Sequence, residues 1–194
     1  MIYYKKLSTF LLCLLLAMNG LSQNINIEIK TELGNIIAEL YPDKAPVTCD
    51  NFVKYIKNDQ FKGANFYRVV RLNNQPNNDI KIEVIQGGLG FDVGESPYPP
   101  IRHETTKETG VLHQDGTLSM ARAKTGTASS EFFICIGDQP DLDFGGKRNP
   151  DGQGFAAFGK IIEGMDVVKK IQNMPDNGQM LIEKVKIISI KTLD

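Results

Sequence analysis

At 194 residues, 41% apolar and 23% charged, the chain has ordinary globular composition and length for one domain, or at most two small ones. With 22 Lys and Arg against 23 Asp and Glu, the formal net charge is −1, so no basic excess draws in nucleic acid or an anionic membrane. Three cysteines, with no CxxC and no Cys/His cluster at metal spacing, exclude a disulfide framework and a structural zinc site.

The first 22 residues have a character of their own. Lys5 and Lys6 precede an apolar run from Phe10 to Met18, and small residues Gly20 and Ser22 follow. This is the layout of a secretory signal peptide. The run is about half the roughly 20 residues needed to span a bilayer. Cleavage after Ser22 is expected, leaving one domain over 23–194 with no membrane span, exported to the periplasm or otherwise outside the cytoplasm. An uncleaved anchor is the alternative. Cys13 leaves with the signal, and Cys49 and Cys135 read as buried free thiols.

Ile25, Ile27 and Ile29 alternate with Asn26, Glu28 and Lys30, the period of a half-buried strand. Gly34-Asn35 is read as the turn, and Ile36, Ala38 and Leu40 resume the alternation in a hairpin. In "DKAPVTCDNFVKYIKNDQF" the period becomes helical, with Pro46 suited to the first turn and Phe52, Val53 and Ile56 on one face. "NFYRVV" and "IKIEVIQ" read as strands either side of a polar excursion, "RLNNQPNND". From Gly87 to Thr117 little is regular, and a loop of that length is functional or held down by its own contacts. "TLSMARA", "EFFICI" and "GFAAFGKII" read as strands, "EGMDVVKKIQNM" as a helix, and "IEKVKIISI" as a closing strand. About eight strands and two helices, without a helix after each strand, argue for an antiparallel sheet closed into a barrel.

Most candidate chemistry fails on context. The two histidines, His103 and His113, are expected to be solvated loop residues. "GGLGFDVGE" resembles a phosphate loop but runs into prolines instead of a helix, and the phosphate mechanism needs a helix N-terminus. The acidic loop "DLDFGGKRNPDG" lacks a bidentate glutamate at its twelfth position and carries Lys147 and Arg148, which oppose a dication. No GxSxG elbow is present. What remains is Arg68 among apolar strand residues. By strict alternation it shares a face with Phe66 and Val70, so it is either used in a groove or paired structurally with Glu83 or Glu131.

In chain order, "NFYRVV", "VIQGG", "GTLSMARA", "SSEFFICIG" and "GFAAFGKIIEGMDVVKKI" resemble the cyclophilin-type peptidyl-prolyl cis-trans isomerases, especially exported bacterial members. The match covers nearly all of residues 23–194. The resemblance implies a mainly β fold, a closed eight-stranded antiparallel β-barrel capped by two α-helices, with a groove on its outer face. It implies an enzyme that rotates X-Pro bonds in unfolded or flexible polypeptides, assisting folding outside the cytoplasm, with no cofactor and no metal, as a monomer. Carried over by position, Arg68 is the catalytic arginine. The substrate-binding set is Phe66, Gln86, Ala121, Arg122, Ala123, Glu131, Phe133, Leu142 and Phe155. Glu131 stands where glutamine is frequent, Phe155 where histidine or tyrosine is common, and Asp141 where tryptophan is frequent. About ten extra residues separate Arg68 from Gln86. Aligned back from Gln86, an aromatic residue and a methionine become Glu83 and Val84, with Ile82 and Ile85 as apolar candidates for that wall. The rival reading is a barrel that binds proline-containing segments as a chaperone or scaffold without turnover.

Overall fold

Alternate burial along the strands shows which face of the sheet is inside: Ile27 and Ile29, then Ile36, Ala38 and Leu40, are completely buried while their neighbours reach solvent. The computed structural model describes residues 23–90 and 96–193. The signal-type stretch 1–22 lies outside the described residues. The elements are β1 (Ile25–Thr31), β2 (Gly34–Leu40), α1 (Pro46–Lys57), β3 (Asn65–Val70), β4 (Val84–Gly88), α2 (Thr106–Thr109), β5 (Thr117–Met120), β6 (Phe132–Cys135), β7 (Ala156–Glu163), α3 (Met165–Gln172), β8 (Asp176–Asn177) and β9 (Met180–Thr192), with a 3₁₀ turn at Pro140–Leu142.

Every pairing is antiparallel. The order runs β1-β2-β7-β5-β6-β4-β3-β9, and β9 returns to β1, so eight strands close on themselves. β8 is a short rung on β9. Closure leaves no open edge along these eight strands. The inside is aromatic: Phe52 from α1 lies 5.4 Å from Phe132, edge-on, and 5.1 Å from Phe158. Among the described residues no helix is long and apolar enough to cross a membrane.

The first hairpin turns at Glu32-Leu33, because Thr31 pairs with Gly34; Gly34-Asn35 is already strand. The Thr31 hydroxyl donates to the Gly34 carbonyl at 2.7 Å and accepts from the Leu33 N–H. Gly34 has φ +140, and a Cβ there would meet Val167 of α3 at 2.8 Å. Its glycine therefore serves helix packing as well as the turn.

α1 begins with Pro46 at its first turn and has no cap from its own flank. Glu104, buried in the long loop, supplies one. Its carboxylate accepts from the Val47 and Thr48 N–H groups and the Thr48 hydroxyl. A carboxylate at a helix N-terminus satisfies orphan donors and complements the dipole. The loop after β4 is thus held down by its own contacts. It also contains α2, which starts with a reciprocal Thr105/Glu108 capping box.

β3 breaks the expected alternation. Both of its pairings shift register between Phe66 and Arg68, so Tyr67 is the extra residue of a β-bulge. Phe66 and Val69 point into the barrel core, while Val70 joins a separate outer cluster. Phe66 is fully buried in the core, 5.7 Å from Phe132. Its expected place in the substrate-binding set is therefore corrected: one inserted residue reverses the side on which the phenyl ring lies.

Candidate functional site

On the outer face lies a groove of about 580 Å³. β3 contributes Arg68, β4 Val84 and Gln86, and β6 Phe133. The connections add Ile82, Ala121, Arg122, Ala123, Glu131, Leu142 and Phe155. Of the residues predicted for the site, only Phe66 is absent from its walls.

Its apolar half is a small cluster of its own: Val70, Ile82, Val84, Phe133, Cys135 and Leu142, with Ala121 and Phe155 against it. Phe133 meets Phe155 edge-on at 5.3 Å. Ile82 and Val84 form the wall left open by the sequence alignment. Ile85 turns into the core, and Glu83 accepts from the Gln172 amide. Phe133 is backed by His113, stacked at 5.9 Å. His113 is buried, hydrogen-bonded through Nδ1 to Asp143 at 2.7 Å and through Nε2 to the Ser119 hydroxyl at 2.9 Å. It is therefore not the solvated residue expected. Ser119 is wholly buried and does not line the groove, so this Ser–His–Asp series supports a ring and offers no nucleophile.

Arg68 stands at the lip of the apolar half, bonded to neither Glu83 nor Glu131. Its Nε and Nη2 donate to Gln179 Oε1 at 3.1 and 2.6 Å, and its Nη1 donates to Gln86 Oε1 at 2.8 Å. Three of the five guanidinium N–H groups are thus engaged among the described residues. One N–H on Nη1 and one on Nη2 remain. Burial pulls the Arg68 pKa below the usual arginine range, yet a guanidinium remains protonated at neutral pH.

The Gln86 amide is oriented from behind. Its Nε2 donates to the Tyr67 hydroxyl at 2.7 Å, and Tyr67 donates to Glu131. Burial, then the Glu131 charge, push the Tyr67 phenol well above its ordinary pKa, so the proton stays on Tyr67. The carboxylate accepts, Tyr67 must present its lone pair to Gln86, and Gln86 must present its oxygen to Arg68. Glu131 also accepts from the Gly90 N–H at 3.0 Å and the Ser130 hydroxyl at 3.0 Å. The glycine pair that ends β4 allows close approach on both sides. A Cβ at Gly87 would meet Phe66 at 2.8 Å, and one at Gly88 would meet the Glu131 carboxylate at 2.7 Å.

Gln179 was missed in the sequence. It lies 111 positions from Arg68, in the β8–β9 turn, with φ +78. Asp176 accepts its backbone N–H at 2.9 Å, and its Nε2 donates to the Asn74 carbonyl at 3.1 Å. Asn74 belongs to the extra residues between Arg68 and Gln86. That excursion is pinned by Gln75, buried and donating to the Arg71 and Ile82 carbonyls, and by the Arg71–Asp176 ion pair. The insertion therefore helps to support the side chain that holds Arg68.

Ala121 continues the ladder through its N–H to the Glu131 carbonyl at 2.8 Å. The Ala123 and Lys124 N–H groups turn instead to the Thr127 hydroxyl. β5 thus ends at Met120, and residues 121–123 border the groove as a loop. Arg122 is held by Asp151 at 2.8 and 2.9 Å and by the Gly154 carbonyl at 2.6 Å. Its guanidinium lies over the Phe155 ring at 5.2 Å. The acidic loop residues serve as internal acceptors: Asp138 for the Asp115 N–H, Asp141 for that of Lys147, Asp143 for that of His113.

Comparison with known proteins gives a consistent result. The family model for cyclophilin type peptidyl-prolyl cis-trans isomerases matches residues 26–192. A peptidyl-prolyl cis-trans isomerase of Acinetobacter baylyi is 38% identical over 96% of this chain and 95% of its own. Peptidyl-prolyl cis-trans isomerase B of Escherichia coli is 34% identical over 74% of this chain and 82% of its own. A crystal structure of a cyclophilin type isomerase from Cryptosporidium parvum superposes with a TM-score of 0.72 at 24% identity, covering 89% of this chain and 99% of that one, a likeness of fold.

Proposed function

Because the chain belongs to the cyclophilin-type peptidyl-prolyl cis-trans isomerases and is an enzyme of that class, we propose that Arg68 is its catalytic residue. The proline ring sits in the pocket of Phe133, Leu142 and Phe155. Rotation about an X-Pro bond is opposed by amide resonance, a barrier of about 18–20 kcal/mol. Twisting the bond localises the lone pair on the prolyl nitrogen. An N–H donated to that nitrogen is stronger in the twisted state than in either planar one, which is differential transition-state binding.

The observation that carries this reading is the anchoring of Arg68. With three N–H groups fixed by Gln86 and Gln179, the remaining two are pre-oriented at the edge of an apolar pocket and need little reorganisation during the reaction. The ring is gripped while the chain on the other side of the bond turns. Ala121, Arg122 and Ala123 border the substrate backbone. Gln86, Tyr67 and Glu131 act through Arg68 as positioning residues. No proton transfer is required, in keeping with Arg68 as the only reacting group assigned. The substrates are proline-containing segments of unfolded or flexible polypeptides, encountered after export, a location supported by the Lys5/Lys6 and apolar-run layout of residues 1–22. Turnover of an Ala-Pro peptide by wild type and Arg68→Ala, measured by exchange NMR, tests the assignment. A loss of about hundredfold in the variant is expected.

A further inference from the structure

Among the described residues, four charged side chains line the groove: Arg68, Arg122, Arg148 and Glu131. Their charges are balanced unequally. Arg122 forms a two-oxygen ion pair with Asp151. Glu131 is surrounded by donors from Tyr67, Gly90 and Ser130. Arg68 is held by neutral amides only.

Arg148 has no carboxylate partner among the described residues. Its Nη1 donates to the Ile80 carbonyl, and its backbone N–H to the Asp141 carbonyl at 3.1 Å. The Asp141 carboxylate turns to the Lys147 backbone instead. Burial and the nearby Arg68 charge both push the Arg148 guanidinium below its ordinary pKa. Beside it, Asn149 also lines the groove; its amide nitrogen is shielded from solvent and has no acceptor among the described residues. One stretch of the groove wall therefore carries two like charges close together. A carboxylate placed there relieves the repulsion and meets a planar, multi-donor cation suited to it.

We propose that Arg148 is a specificity-determining residue, and that this isomerase prefers proline segments with an acidic side chain adjacent to the proline. The inference rests on the isomerase reading of the groove and names the substrate class within it. The contact is made in the planar and twisted states alike, so it lowers KM and leaves kcat nearly unchanged.

The test uses peptides with Glu, Gln or Lys placed immediately before or immediately after a single proline. Turnover and affinity are measured by exchange NMR, so no protease specificity intrudes. At low salt, kcat/KM for the Glu peptide should exceed that for the Lys peptide by about tenfold at one of the two positions, equivalent to about 1.4 kcal/mol. The difference should lie in KM. In 0.5 M NaCl, where the screening length is roughly 4 Å, the ratio should shrink to near two. Arg148→Gln should collapse the Glu/Lys ratio at low salt, and Arg148→Lys should largely keep it. Equal turnover of Glu and Lys peptides by wild type, with the Gln peptide turned over normally, overturns the inference and leaves the isomerase reading intact. An undiminished ratio in Arg148→Gln also overturns it, assigning the preference to Arg68. Absence of turnover on all three peptides would instead refute the reading of the groove. Should Arg148→Gln fail to fold, Arg148→Met takes its place: it should collapse the Glu/Lys ratio, and an undiminished ratio in that variant overturns the inference.

Discussion

Gln179 gives the account a point at which stability and catalysis separate. Its side-chain oxygen accepts two N–H groups from Arg68, and hydrogen bonds to a charged group contribute about 1.5–3 kcal/mol each way they are counted. Removing the oxygen leaves Arg68 tethered by Gln86 alone. Part of the lost energy appears as a poorly aimed donor, and we expect kcat to fall ten- to thirtyfold, about 1.4–2 kcal/mol of barrier. KM should change little, because the apolar pocket is untouched. The backbone supplies the control. Residue 179 has φ +78, which costs a residue with a Cβ about 1 kcal/mol relative to glycine. Gln179→Gly and Gln179→Ala both lose the oxygen, yet the glycine variant should melt about 2–4 °C higher. Exchange NMR for kcat and calorimetry for Tm make the comparison. Equal, low kcat with different Tm supports a positioning role. A kcat that follows Tm across the two variants, or wild-type kcat in both, refutes it.

Two further outcomes are expected. Cys49 and Cys135 are free and buried; burial pushes the Cys49 thiol up to about 12 and Cys135 well above its ordinary range, so at pH 8 both should resist a thiol reagent until the protein is unfolded. If residues 1–22 direct export, intact mass of protein recovered from the cell envelope should correspond to a chain beginning at Gln23, and retention of Met1 would contradict that reading.

The barrel was legible because inside and outside residues alternate in β1, β2 and β9 and because turn residues separate them. The groove's apolar half was legible through the resemblance, since Phe133, Leu142 and Phe155 are carried over in the family's chain order. What escaped had physical causes. The β-bulge at Tyr67 carries no local composition signal, so Phe66 was assigned to the wrong face. The Gly34-Asn35 pair looked like the turn, but Gly34 answers to the close approach of Val167. α2 is only 4 residues long, too short for hydrophobic periodicity, although the Thr105/Glu108 capping box marks its start. His113 sits beside Gln114 and Asp115 and so looked solvated; its partner Asp143 is 30 positions away. Gln179 was beyond reach for the same reason. An Asn-Gly turn is readable, but which side chain the next residue meets depends on closure of the whole barrel.

The central claim is that Arg68 lowers the rotational barrier rather than merely helping to bind proline. The most direct measurement determines turnover and affinity separately for Arg68→Ala and wild type on the same Ala-Pro peptide, using exchange NMR for the rate, chemical-shift titration for Kd, and circular dichroism to verify the fold. The account predicts a fall in kcat of about hundredfold or more, roughly 2.7 kcal/mol, with Kd changed by only a fewfold because Phe133, Leu142 and Phe155 still hold the ring. A folded Arg68→Ala protein with wild-type kcat, or one whose entire loss appears in Kd, would contradict it.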